Sequence, residues 1–196
     1  MRAAAHHVDV ADGDAFLSTS RMIFGPITQR FARGATPFAP ELLSVRLGVC
    51  RLSEIRAMQH LVISDRAFRR SFDPDSIKIL MQRSGHSRFE QQFHTVELKP
   101  QSAIIYDPVR SYSLQNLSSV DQLILQVPRS TFGDDTLARL TAPVPLPAGD
   151  DSLTHIVSGL MQMAIGEAHR NSRPCASASS PISTQTWRAP ISRPRI

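Results

Sequence analysis

The stretch Ile77-Lys78-Ile79-Leu80-Met81-Gln82-Arg83-Ser84-Gly85-His86-Ser87-Arg88-Phe89-Glu90-Gln91-Gln92-Phe93 alternates apolar and polar residues on either side of a glycine. Ile77, Ile79 and Met81 fall on one face and Lys78 and Gln82 on the other, the period of two expected of a strand with one wet side. Ser84-Gly85-His86-Ser87 breaks the run, and Gly85 supplies the positive φ that a tight reversal needs. Phe89, Gln91 and Phe93 alternate with Glu90 and Gln92 on the return. Downstream, Lys99-Pro100-Gln101-Ser102 makes the next turn, Ala103-Ile104-Ile105-Tyr106 is a short apolar run ended by Asp107-Pro108, and Leu123, Leu125 and Val127 close the series before Pro128. The pattern predicts antiparallel sheet.

The same alternation holds upstream, where Leu43, Val45, Leu47 and Val49 face away from Ser44, Arg46, Gly48 and Cys50, and the run Met58 to Ile63 follows as another strand. Residues 1–23 read as an arm or short helix, with Asp12 or Asp14 as its cap. Phe24-Gly25-Pro26 is a turn. Beyond Pro128, residues 131–140 predict one short helix, and Pro143, Pro145 and Pro147 a stiff, extended connector. Leu153, Ile156, Val157, Leu160, Met161 and Ala164 then recur at three- and four-residue spacing, the apolar stripe of a helix ending near His169. From Asn171 onward, serine, proline, alanine and arginine replace any apolar period, the composition of a disordered tail.

Spacing and order between Phe38 and Val127 resemble the sensor half of AraC-type transcription regulators. The resemblance is carried by Ile79-Leu80-Met81-Gln82-Arg83-Ser84-Gly85, Glu90-Gln91, Leu98-Lys99-Pro100, Ile104-Ile105-Tyr106-Asp107, Tyr112 and Leu123 to Arg129, with Pro37-Phe38 and Val45 to Ile55 fitting the early strands. The chain departs from the family at Gln92-Phe93, where a polar residue and a glycine are usual, at Gln101-Ser102, where Gly-Asp is usual, and at Ser111, where a proline is frequent. The resemblance implies a mainly β fold, a cupin-like antiparallel β-barrel (jelly roll) followed by one or two α-helices and the tail. It divides the chain into an arm (1–23), a sensor barrel (24–130), a helical connector or dimerisation segment (131–170) and the tail (171–196). It further implies that helices after the barrel pair two subunits through Leu153, Ile156, Val157, Leu160 and Ala164; docking of that helix on its own barrel is the alternative. The partners implied are a small-molecule effector and either a second copy or a full-length relative in a mixed dimer. Such regulators continue into a helix-turn-helix domain, and its replacement here by low-complexity sequence reads as a truncated regulator.

Charge and composition bear on the rival functions. The formal charge is +5, but it comes from Arg170, Arg173, Arg188, Arg193 and Arg195, and the preceding residues carry as many acidic as basic side chains. Specific nucleic-acid binding, which concentrates basic residues on a structured face, is not expected of the body; the arginine tail, and Arg66, Arg69 and Arg70 with Phe68 and Phe72, are the segments that would carry it. No apolar run is long enough to span a bilayer and the N-terminus lacks a signal-peptide pattern, so a cytoplasmic protein is expected. Cys50 and Cys175 do not form a disulfide or metal pattern.

A pocket in a small barrel needs apolar walls and a few polar groups. Met81, Phe89, Ile104 and Tyr106 are the inward candidates, with Arg83 or Arg110 at a mouth; ordinary core and rim is the favoured reading of the same residues, since small barrels are filled by their own side chains. A stand-alone metal-dependent cupin enzyme is the alternative function, its candidate ligands being His60, His86, His94, Glu90 and Glu97, with His6-His7 as a terminal pair. No His-x-His pair, G-x-S-x-G or glycine-rich phosphate loop is present. The reading is a non-enzymatic effector-sensing and dimerisation module with no cofactor.

Overall fold

A computed structural model describes residues 5–8, 13–31, 40–64, 75–146 and 153–172. In chain order these form β1 (Ala5–Val8), α1 (Gly13–Phe24), β2 (Thr28–Phe31), β3 (Glu41–Leu47), β4 (Cys50–Ala57), β5 (His60–Ser64) and β6 (Ser76–Ser84). There follow β7 (Ser87–Gln91), β8 (His94–Leu98), β9 (Ala103–Tyr106), β10 (Tyr112–Asn116), β11 (Val120–Pro128), α2 (Asp134–Arg139), β12 (Val144–Leu146) and α3 (Leu153–Ser172). The strands pair antiparallel in two sheets. One has the order β1-β3-β4-β11-β6-β9-β12 and the other β2-β5-β10-β7-β8. The result is a jelly-roll sandwich rather than a strictly closed barrel.

Two apolar layers hold it together. Between the sheets, Leu42, Ile55, Leu80, Ile104 and Ile124 of the larger sheet meet Val62, Phe89, Leu98 and Leu114 of the smaller, and α1 adds Phe16, Ile23 and Phe24. On the other face of the larger sheet, Leu43, Val45, Leu52, Met81 and Leu123 meet Met161, Ile165 and Ala168 of α3. The larger sheet is therefore covered on both faces.

This double cover reverses the expectation for β6. Lys78 and Gln82, assigned to a wet face by their polarity, are 1% and 0% exposed and point between the sheets, while Met81 faces α3. Period-two alternation identifies which residues share a face, but not which face meets water once a helix covers the second.

The proline-rich segment differs as well. Val144–Leu146 is an edge strand on β9, with Pro145 opposite Ile104; an edge tolerates proline because one side of the strand needs no donor. Residues 1–23, expected as an arm or a short helix, supply both β1, paired with β3, and α1. The Arg66, Arg69 and Arg70 patch and the tail from residue 173 lie outside the described residues.

Turn chemistry set the strand limits. Gly85 has φ +79°, and a Cβ there would lie 2.2 Å from the Ser119 carbonyl oxygen, so no side chain fits. Phe93, expected to extend β7, instead sits with Gln92 in a two-residue hairpin between Gln91 and His94, at φ +67° and +50°. Both are left-handed conformations that cost a non-glycine residue about 1–2 kcal/mol. Phe93 is fully exposed and gains no packing in return. Replacing Phe93 with glycine is expected to stabilise the fold by about 1 kcal/mol, read as a higher urea midpoint with unchanged slope.

Candidate functional site

The inter-sheet space is polar at both ends. Along β6 the inward positions run Lys78, Leu80, Gln82, and along β10 Tyr112, Leu114, Asn116, so an aliphatic middle separates two polar rows.

At the Gln82 end a closed hydrogen-bond network joins the sheets. Gln122 Nε2 donates to Gln82 Oε1 at 2.8 Å and Asn116 Oδ1 at 3.0 Å, Ser87 Oγ donates to Asn116 Oδ1 at 2.6 Å, and Asn116 Nδ2 donates to His60 Nε2 at 3.0 Å. His60 Nδ1 in turn donates to the Met58 carbonyl at 2.7 Å. This arrangement fits a neutral imidazole protonated on Nδ1. Burial pushes the His60 pKa down, and the Met58 bond only partly offsets it. Its ring stacks on Phe31 with centroids 5.1 Å apart.

At the other end, Lys78 Nζ donates to the Phe24 carbonyl at 2.9 Å and lies 5.6 Å and 6.0 Å from the Phe24 and Tyr112 ring centroids. The neighbouring Gln126 Nε2 donates to the Ile23 carbonyl at 3.2 Å. Both acceptors belong to the last turn of α1, whose carbonyls lack intrahelical partners and carry the negative end of the helix dipole. The sheet thus clamps α1 across the mouth of the sandwich. Tyr106, Tyr112 and Phe89 form a three-ring cluster beside Lys78, with centroids 4.6 to 5.5 Å apart. Between Lys78, Tyr106 and Tyr112 on one side and His60 and Gln122 on the other remains a cavity of about 30 Å³, room for a water molecule.

The six sequence candidates for ligand contact are not gathered in one place. Tyr106 lines the cavity, with the Phe89 ring tilted against it and Ile104 in the same core. Met81 and Arg83 lie on the α3 side of the sheet, where Arg83 bonds Asp121 at 2.8 Å and also pairs with Glu54. Arg110 sits in the loop after β9, its carbonyl accepting from Gln91 Nε2 at 3.2 Å. The residues that sequence reasoning missed are Lys78, Tyr112, Gln122 and Asn116. Lys78, between Ile77 and Ile79, is a polar residue inside an apolar run, readable as interior only once both faces of its sheet are known to be covered; Tyr112, Gln122 and Asn116 each have a polar chain neighbour and carry no such signal. Of the candidate metal ligands, His60 is interior, His86, Glu90, His94 and Glu97 are exposed, and no group of three or more such side chains converges among the described residues.

The pairing candidates on α3 divide between two faces. Val157 and Ala164 join Met161 and Ile165 against the sheet, whereas Ile156, Leu160 and Met163 are 57%, 60% and 71% exposed. The Leu153 side chain lies outside the described residues. His169, near the helix end, bonds Glu54 Oε2 at 2.5 Å.

A family model for the AraC-binding-like domain matches residues 18–186. The chain belongs to the AraC-binding-like domain family. The solved structure of the AraC-like transcriptional activator CuxR is similar at a TM-score of 0.68 and 18% identity, over 85% of this chain and 61% of that one, so the chain spans less than two thirds of the activator's length. A putative ethanolamine utilization protein from Salmonella typhimurium is similar at a TM-score of 0.38 and 13% identity, over 65% of this chain and 97% of that one. A cupin superfamily protein from Desulfitobacterium hafniense is similar at a TM-score of 0.39 and 9% identity, over 50% and 84%. No curated protein matches the chain. In this AraC-binding-like domain no described helix is long and apolar enough to cross a membrane.

Proposed function

We propose that the domain is the effector-sensing and dimerisation part of an AraC-type transcription regulator, non-enzymatic and cytoplasmic. Residues 24–130, with α1, sense a small molecule in the inter-sheet space, and residues 131–170 pair two copies. The observation that carries this reading is the double apolar character of α3. One stripe is spent on its own sheet, yet Ile156, Leu160 and Met163 continue a second stripe outward at four- and three-residue spacing, the pattern of a helix that meets another helix. Family membership and the likeness to CuxR, itself a transcriptional activator, support it. The polar groups facing the cavity, Lys78, Tyr106, Tyr112 and Gln122, supply orienting contacts for a ligand, and α1 lies where entry must occur.

Leu160→Asp is the test. Placing charge on an exposed position costs the isolated fold within about 0.5 kcal/mol, but a charge in an apolar helix contact has no partner and disrupts it. The wild-type chain is expected to sediment as a dimer at high micromolar concentration, and Leu160→Asp as a monomer with an unchanged melting temperature and circular dichroism. A monomeric wild type, or a variant that remains dimeric, overturns the pairing.

A further inference from the structure

The inner face of the larger sheet carries a cross-strand row unlike a core. Arg46 on β3 lies opposite Arg51 on β4, Arg51 opposite Gln126 on β11, Gln126 opposite Lys78 on β6, and Lys78 opposite Tyr106 on β9. Directly paired residues share a face, and Tyr106 belongs to the inter-sheet core. Exposure rises along the row. Tyr106, Lys78 and Gln126 are buried, Arg51 is half-buried and Arg46 is exposed, so the row leads from the interior, where Lys78 and Gln126 hold the end of α1, to the rim.

Its outer end is electrostatically unbalanced. Like charges directly opposite on a ladder destabilise it, and the Arg51 guanidinium is pushed down first by burial and then by Arg46. Arg56, Arg83, Arg88 and Arg129 each hold a carboxylate, whereas among the described residues none pairs with Arg46 or Arg51. Next in the row, Gln126 is 4% exposed and its Oε1 has no partner among the described residues. Its Nε2 is committed to the Ile23 carbonyl, which leaves the oxygen as the acceptor still open on this side chain.

We propose that Arg46 and Arg51 together bind an oxyanion, the phosphate or carboxylate group of a small molecule, at the rim of the inter-sheet space. Two guanidinium forks match the geometry of either group, and its charge replaces their mutual repulsion with attraction to both. Gln126 Oε1 is placed to accept from a hydroxyl or amino hydrogen on the same molecule. The site stands independently of the effector reading: oxyanion binding that leaves sedimentation unchanged would count against an effector role and leave the site intact.

The test is thermal melting of the full chain with inorganic phosphate or acetate at roughly 20 mM, ionic strength held constant with chloride. The wild type is expected to melt a few degrees higher with at least one of the two anions, phosphate alone indicating a phosphoryl ligand and acetate as well a carboxylate. Arg46→Gln, an exposed change, and Arg51→Gln are expected to lose that rise, and Arg46→Gln to melt no lower than wild type without anion because the repulsion is relieved. No rise in the wild type, or an equal rise in both variants, overturns the proposal, the latter being the general stabilising action of such anions on compact states.

Discussion

Arg83→Leu is expected to cost about 3 kcal/mol at pH 7. Arg83 is the principal cation on Glu54, a carboxylate only 3% exposed in the middle of β4. Arg56 at 3.1 Å and His169 at 2.5 Å complete its surroundings, while Asp121 bridges Arg83 and Arg56. A buried charge that loses its main partner is worth several kcal/mol of destabilisation, more than the intact pair contributes relative to an apolar substitute. The pH dependence identifies the cause. Burial alone pushes Glu54 up, but His169, Arg83 and Arg56 outweigh it and hold the carboxyl below its ordinary 4.5. A carboxyl with a depressed folded pKa contributes stability that is present above the unfolded value and lost as pH falls through the folded one. The gap between wild type and Arg83→Leu should therefore be full at neutral pH and shrink below about pH 4.5. Urea unfolding across that range checks it; a gap constant with pH would assign the loss to packing of the arginine stem.

Asn116→Ala is expected to cost a similar amount, about 3 kcal/mol, by a different route. Asn116 is 0% exposed and serves three partners, accepting from Ser87 and Gln122 and donating to His60. Its removal leaves the His60 Nε2 acceptor bare and deprives the other two donors of one acceptor each. Buried orphans cost roughly 1–3 kcal/mol apiece, and Gln82 Oε1, already within 3.1 Å of Ser87 Oγ, recovers part of that. Denaturant titration with an unchanged slope is the readout. A loss under 1 kcal/mol would mean that water serves these groups as well as Asn116 does.

How much of this was legible beforehand depended on whether a feature was local. The β6–β7 turn at Gly85, the limits of β9 from Ala103 to Tyr106 and the α3 helix follow from turn residues and periodicity within a few positions, and the family motifs rest on the same signals. The facing of β6 was not local. Polarity placed Lys78 and Gln82 outside because it could not register that Met161 and Ile165, some eighty residues later, cover the opposite side. For the same reason Arg83, a pocket-mouth candidate by sequence, lies on the α3 side, against the Glu54 carboxylate that also bonds His169. The α3 stripe reads in sequence as one surface satisfied in one of two ways; in the fold it is wide enough to wrap two faces, docked through Met161 and open at Leu160. Cross-strand rows, such as that from Arg46 to Tyr106, require the register of five strands and leave no trace in any single segment.

The clamp of Lys78 and Gln126 on the last turn of α1 has a kinetic consequence. About 30 Å³ is free inside, room for a water molecule, so an effector of the proposed kind would enter only after an opening. Observed association rates then level off with concentration at the opening rate, instead of rising linearly. Apparent affinity is weakened by the inverse of the open fraction, roughly a hundredfold for an opening cost of about 3 kcal/mol. Substitutions that slacken the α1 clamp without touching the cavity wall would speed entry and tighten apparent binding together, a signature that separates gating from recognition.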